Sequence, residues 1–359
     1  MSTSNQLGYR PALDGIRALA IAPVVSVHAF GWPKQGSLGV DIFFVLSGFL
    51  ITALLLEERV STGTISFRGF YRRRAARLLP ALALLLAVLA IGGGFLHPLT
   101  LVFAATFTMN IGNIVTTSWA VPWLGHLWSL AQEEQFYLLW PPLLLLVMRL
   151  RPALLTRVIG ALILLAVLDK IVLLGLGADT QRIYMGPDSH ADPILIGCLF
   201  GALFSSGFRG WLSRLAGPAA ILVIASLAAS EWFSFLDLRS PLRSLFAVAC
   251  GVLVFSAASA TTWTSFALSL RPATFVGQIS YSLYLWHLFM LTAIAATDRV
   301  GHREAGPAVV AVALSTVIAA ASFYLVEQPL RRRWRGKIQS HPSLQGSTHQ
   351  DLRPATLRV

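Results

Sequence analysis

The sequence predicts an all-α fold, a polytopic membrane bundle of about ten transmembrane helices, and three observations carry that prediction. The chain is 55% hydrophobic and only 12% charged, where a soluble domain carries roughly 25% charged residues. Its mean hydropathy is +0.68. The apolar residues fall into runs of about 20, the length that crosses a bilayer, and arginine clusters flank alternate ends of those runs, as the positive-inside rule requires. A chain of 359 residues holds about ten such spans with short connections and no sizeable soluble domain. The net charge of +12 is therefore read as topology, with a share left for an anionic ligand, and not as a nucleic-acid surface. Cys198 and Cys250 lie inside apolar runs, where they act as small hydrophobes, so no disulfide framework is implied.

The first span, residues 13–31, carries Arg17 and His28, eleven residues apart. Eleven residues are about three helical turns, so both side chains share one face, roughly 16 Å apart along the axis. Ionisable groups inside a span cost roughly 2.5–3.5 kcal/mol on insertion scales and usually face a bundle interior or an aqueous cavity, where they mark function. The competing reading has Arg17 snorkelling to the headgroups and His28 packing. The polar segment ahead of this run is short, so the run reads as a retained signal-anchor rather than a cleaved signal peptide.

The second span, residues 38–56, carries Asp41 in its opening Gly39-Val-Asp41 and contains the small pair Ser47-Gly48, which permits close helix approach. Arginines at 59, 68, 72, 73, 74 and 77 follow and place this loop, and the N-terminus beside it, in the cytoplasm. The third span covers residues 78–96. Residues 99–115 are apolar but interrupted by Asn110, Gly112 and Asn113, and the next run, 127–148, leads into Arg149, Arg151 and Arg157. Counting both runs as spans would put that second basic cluster outside, so residues 99–115 are expected to form a re-entrant or outer-surface segment and 127–148 the fourth span. The remaining spans are then 158–177, 191–206, 211–230, 241–258, 276–296 and 308–326. This parity leaves Arg209, Arg214, Arg271 and the 331–335 cluster inside. Both termini fall in the cytoplasm of a cell-membrane protein. The domain division is a membrane domain over residues 1–335 and a polar, disordered cytoplasmic tail over 336–359. No internal repeat is evident, which weakens a transporter of inverted halves.

Sorted by side, the membrane polar groups form two sets. The outer set is His28, Asp41, Glu133, Glu134, Asp188, His190 and Asp192; the inner set is Arg17 with Arg72, Arg73, Arg74 and Arg77. A carboxylate beside a histidine fixes its tautomer and makes it a general base. Clustered arginines suit phosphates through bidentate charge-assisted bonds. Together they suggest a phosphorylated donor from the cytoplasm and an acceptor activated in the outer half. Blander readings stand beside these: a topology signal and lipid contact for Arg72–Arg77, a charged helix start for Glu133-Glu134, and packing for His287 next to Trp286. Asp188, His190 and Asp192 have the spacing of metal ligands only superficially, and no metal is expected.

Six stretches then resemble the acyltransferase-3 family of integral-membrane O-acyltransferases: Leu13-Asp-Gly-Ile-Arg17-Ala with His28, residues 39–51, Arg74-Ala-Ala-Arg77-Leu-Leu-Pro80, residues 127–141, Ile279-Ser-Tyr-Ser-Leu-Tyr-Leu-Trp-His287, and Val326-Glu-Gln-Pro-Leu-Arg331. The family's usual Ser-Leu-Ser-Val-Glu-Glu reads Ser129-Leu-Ala-Gln-Glu-Glu134 here, with the acidic pair kept. The resemblance implies about ten spans and transfer of an acyl group, most often acetyl, from acyl-CoA as co-substrate to a hydroxyl, with no bound cofactor. It implies His28 as general base or transient acyl carrier, and Arg17, Arg74 and Arg77, with Arg73 beside them, as groups that hold the donor's phosphates or polarise its thioester. Glu134 is the candidate to orient His28. The acceptors implied are sugars of cell-surface polysaccharides and lipids, or a small secreted metabolite such as a macrolide. The latter stays open because no hydrolase-like domain is read after the last span. A transporter or flippase is the alternative outside enzymology.

Overall fold

The computed structural model describes residues 7–92, 97–116, 123–208, 211–229, 237–259, 262–295 and 304–339, and among these every regular element is helical. In chain order they are α1 (Pro11–Phe30), α2 (Leu38–Thr62), α3 (Phe67–Ile91), α4 (Pro98–Ala105), α5 (Met109–Val115), α6 (Trp128–Leu150), α7 (Leu155–Gly175), α8 (Thr180–Met185), α9 (Asp192–Ser205), α10 (Ala216–Ala229), α11 (Arg243–Ser259), α12 (Trp263–Leu268), α13 (Arg271–Ala295), α14 (Ala305–Ala321) and α15 (Gln328–Gln339). A π-helical stretch, Ser322–Glu327, joins the last two.

Six of these helices are long and apolar enough to cross a membrane, and the chain is a multi-pass membrane protein: α1, α2, α3, α7, α10 with the 3-10 turn Trp211–Leu215 that leads into it, and α14 with its continuation. The other four spans read from the sequence correspond to α6 and α13, which have 23 and 25 residues but carry polar side chains inward, and to α9 and α11. These last two are apolar but only 14 and 17 residues long, short of the ~20 a straight crossing needs. Helix ends overrun the apolar runs. α2 continues past residue 56 to Thr62 and stops where Gly63 turns left-handed at φ 78°. α3 begins at Phe67, eleven residues before its apolar run, with Ser66 Oγ accepting from the Gly69 amide as its cap. The tail expected from residue 336 is helical as far as Gln339; the rest of it lies outside the described residues, as do 231–236 and 297–303 of the outer loops.

Residues 98–115 break into two helices of 8 and 7 residues, each far too short to span. Phe107, at φ +54°, makes the break. The polar residues that interrupt this run anchor it to α6 and to the turn ahead of it: Asn110 and Gln135 exchange side-chain amide hydrogen bonds of 3.1 and 2.9 Å, Gln135 also donates to the Phe107 carbonyl at 2.9 Å, and Asn113 donates to the Gly125 carbonyl at 3.0 Å.

The core is built around α2, which packs on α1, α9 and α11. Backbones meet closely where glycine allows it. A Cβ on Gly197 would stand 2.1 Å from the Val45 carbonyl oxygen, and one on Gly277 would stand 1.8 Å from that of Asp14. The second contact brings α13 against the start of α1, and the two helices run side by side toward His28 and His287.

Candidate active site

Each end of α1 carries one half of the site. At the N-terminal end, α1, α2, α3, α6, α13 and α15 enclose a cavity of about 1020 Å³. Arg17, Arg72, Arg73, Arg74, Arg77 and Arg331 line it, with Tyr137 and Tyr284 among the uncharged walls. α3 supplies four of these arginines because its first three turns precede the apolar run, and the i, i+3 spacing of Arg74 and Arg77 sets both on one face. Three arginines are matched locally. Asp14 is buried and accepts a short hydrogen bond from Arg17 and another at 3.0 Å from the Tyr9 hydroxyl. Glu58 accepts from Arg73 at 3.0 Å, and Glu134 from Arg74 at 2.6 Å. The Arg74 guanidinium also lies 3.7 Å over the Tyr137 ring. Among the described residues no carboxylate comes within ion-pair distance of Arg72 or Arg77. Their charge is therefore available to an anion in the cavity.

The acidic pair of α6 stands with these arginines, a correction to its outer placement in the sequence. Glu133 accepts a short hydrogen bond from Ser47 and one at 3.3 Å from Tyr137, and it lines the cavity; Glu134 holds Arg74. The reason lies in where α6 starts. Its first five residues, Trp128 to Gln132, are all buried, so the helix begins inside the bundle, and Glu133 sits about 8 Å deeper still.

At the other end of α1, His28 meets a partner from α13 instead of a carboxylate from α6. His28 Nδ1 is 3.1 Å from His287 Nε2, and the ring centroids are 5.2 Å apart. His126 adds a third imidazole, its ring 5.1 Å from that of His287 and 5.1 Å from that of Tyr284. Tyr284 donates a short hydrogen bond to the His126 carbonyl, and its hydroxyl is 2.6 Å from that of Ser129. Because Ser129 and Tyr284 line the cavity, they are the wall between the arginines and the histidines. The predicted residues Arg17, Arg73, Arg74, Arg77 and Glu134 thus gather in one place, and His28 stands one layer beyond. In the sequence His287 reads as a packing residue, and no role is assigned to His126, Tyr284 or Ser129. The available signal was His287 itself, which closes one of the six motifs.

The other polar groups of the outer set serve packing. Asp41 is fully buried between His190 Nε2 at 2.9 Å and Arg243, whose Nε donates at 2.8 Å. His190 Nδ1 lies 2.7 Å from the Tyr184 carbonyl, so both ring nitrogens face oxygen acceptors. Asp192 takes Lys170 at 2.9 Å and Ser244 at 2.6 Å. Asp188, on the surface, pairs with Arg182. The metal-like spacing of Asp188, His190 and Asp192 thus resolves into three separate partnerships, and no group of metal ligands occurs among the described residues.

Comparison with known proteins agrees with this architecture. Residues 10–327 match the sequence profile of a family described as an acyltransferase domain. The chain is 33% identical over 352 residues to the peptidoglycan O-acetyltransferase OatA of Listeria monocytogenes, covering 90% of this chain and 56% of that protein. It is 31% identical over 351 residues to the putative peptidoglycan O-acetyltransferase YrhL of Bacillus subtilis, covering 90% and 55%. With the O-acetyltransferase OatA of Staphylococcus aureus the figures are 29% over 347 residues, 90% and 58%. The chain therefore spans about half the length of the curated relatives it matches. No solved structure matches it. Since the profile covers residues 10–327, which include the whole histidine cluster and every helix of the arginine cavity except α15, the chain belongs to the acyltransferase-3 family of integral-membrane O-acyltransferases.

Proposed function

We propose that the chain transfers an acetyl group from acetyl-CoA to a carbohydrate hydroxyl at the outer cell surface, with peptidoglycan as the acceptor class. The observation that carries this reading is the cavity lined by Arg17, Arg72, Arg73, Arg74 and Arg77, with Ser129 and Tyr284 in its wall and the Tyr284 ring 5.8 Å from that of His287, the partner of His28. An arginine cavity suits the phosphates of coenzyme A, and a buried histidine suits removal of a hydroxyl proton. The names of the relatives support O-acetylation and the acceptor class.

In this mechanism Arg72 and Arg77, which have no carboxylate partner among the described residues, clamp donor phosphates, while Arg17, Arg73 and Arg74 hold the surrounding field and geometry. The thioester reaches past Ser129 and Tyr284 toward His28. His28 takes the acceptor proton as the hydroxyl oxygen attacks the acyl carbon; the new ester C–O bond forms, the C–S bond breaks, and the imidazolium returns the proton to the departing thiolate. This mechanism takes ten spans with the arginine end and both termini in the cytoplasm, so that the donor arrives from the side where coenzyme A is made and the acceptor hydroxyl from the other; the arginine clusters of the sequence support that orientation.

The test uses the purified full chain in liposomes with acetyl-CoA and soluble peptidoglycan fragments, read by mass spectrometry. One added acetyl group per fragment, released by mild alkali as an ester would be, is the expected product. Donor consumption with a macrolide but with no glycan would replace the acceptor class, and no consumption with any hydroxyl would overturn the reading.

A further inference from the structure

The histidine pair contains more than a contact, because the surroundings of His287 dictate where its proton sits. His287 Nδ1 is 2.8 Å from the Tyr284 carbonyl oxygen and 3.1 Å from that of Leu283, the carbonyls three and four residues back on its own helix. Carbonyl oxygens only accept, so Nδ1 carries a hydrogen. His287 is 0% exposed, and its hydrogen-bond partners are those two carbonyls and an imidazole. None of these compensates a positive charge, so the buried ring is neutral. A neutral imidazole with its hydrogen on Nδ1 has a lone pair on Nε2. The atom 3.1 Å from that lone pair is His28 Nδ1, which must therefore be the donor.

From this geometry we infer that His287 is a positioning residue that fixes the tautomer of His28, holding a hydrogen on His28 Nδ1 and assigning Nε2 as the atom that takes a proton. This rests on the acyl-transfer reading for its consequence, though not for its geometry. The helix backbone of α13 does for His28 what a carboxylate does for a catalytic histidine elsewhere: it sets the tautomer, two hydrogen bonds away, through an intervening imidazole. Such an arrangement needs no buried negative charge, which suits a site inside a membrane bundle. It also explains why Glu134 is free to hold Arg74. When His28 becomes an imidazolium, its Nδ1 hydrogen bond to His287 remains in place and becomes charge-assisted, which strengthens it.

The test pairs a spectrum with kinetics. Nitrogen-15 NMR of histidine-labelled protein in bilayers reads the tautomer directly, with the His28 signals identified by their loss in His28→Ala. The expected spectrum shows His28 protonated on Nδ1 in the wild type and a loss of that preference in His287→Leu. His287→Gln, which returns an acceptor oxygen near the position of Nε2, should restore it. In turnover, His287→Leu should lower kcat on the order of 100-fold and leave the KM for acetyl-CoA within about twofold, since uniform binding is untouched; His287→Gln should recover most of that loss. A wild-type His28 carrying its hydrogen on Nε2 alone would overturn the inference whatever the activity. So would a His287→Gln enzyme as slow as His287→Leu, which would mean that shape rather than an acceptor matters. The predicted spectrum in a protein that transfers no acyl group would sustain the pair and overturn the proposed reaction instead.

Discussion

Arg74 Nη2 and Glu134 Oε1 stand 2.6 Å apart, with side chains 19% and 17% exposed, and this ion pair ties the basic start of α3 to α6. Removing one partner leaves a largely buried charge uncompensated, whereas removing both takes away the penalty with the attraction. Glu134→Ala should therefore destabilise the detergent-solubilised protein by roughly 3 kcal/mol. Arg74→Ala with Glu134→Ala should cost less than the sum of the single changes, with a coupling of about 1–3 kcal/mol. Thermal unfolding of the four proteins in one detergent measures this, and additive losses would show the pair to be idle.

Arg77 differs from Arg74 in having no carboxylate partner among the described residues while lining the same cavity. Its loss should be felt by the donor, not by the fold. A charge-assisted hydrogen bond to phosphate contributes about 1.5–3 kcal/mol, so Arg77→Ala should raise the KM for acetyl-CoA by roughly 10- to 100-fold. The melting temperature should stay near that of the wild type. Titration calorimetry with desulfo-CoA checks the affinity without turnover, and unchanged binding would remove Arg77 from the donor site.

Gly277 lies where α13 crosses the start of α1, with a Cβ there directed 1.8 Å from the Asp14 carbonyl oxygen. Gly277→Ala must push the helices apart, at a cost of about 1–3 kcal/mol for overpacking. The same displacement would separate His28 from His287 and move Arg17. The variant should lose activity at temperatures where it is still folded by circular dichroism; activity equal to wild type would show that the two helices do not act as one unit.

The topology of residues 98–115 is open to labelling. Asn113 is only 5% exposed and a poor position for a probe, whereas Val115 is 67% exposed and Ser61, in the last turn of α2 beyond its apolar run, is exposed. Both native cysteines are buried, so background is low. A cysteine at Val115 should react with an impermeant maleimide in intact cells, and one at Ser61 only after permeabilisation. The reverse pattern would invert the bundle.

Much of this was legible from residue type and spacing. Arg17 and His28 announced themselves as ionisable groups in an apolar run, and the i, i+3 pair Arg74 and Arg77 fell on one face as helical periodicity requires. Asn110 and Asn113 correctly marked residues 99–115 as interrupted, and they prove to be the groups that fasten that segment to α6 and to the turn at Gly125 just before it. What stayed hidden depended on long-range packing. His28 and His287 are 259 residues apart in the chain, and no local pattern pairs them. Glu134 was misplaced because depth was counted from the edge of an apolar run, while α6 begins inside the bundle. The starts of α3 and α13 were missed for a related reason: apolar length locates hydrocarbon, and a helix needs only its own hydrogen bonds to extend beyond it.

The most direct test of the account is acceptor-stimulated release of free coenzyme A from acetyl-CoA by the purified protein, with wild type beside His28→Ala. Release by the wild type that rises with added glycan and falls by at least 100-fold in His28→Ala, with the variant still folded and still binding desulfo-CoA, is the predicted result. Equal release by the two proteins would contradict the account, because it would leave the histidine that organises the site without a part in the chemistry.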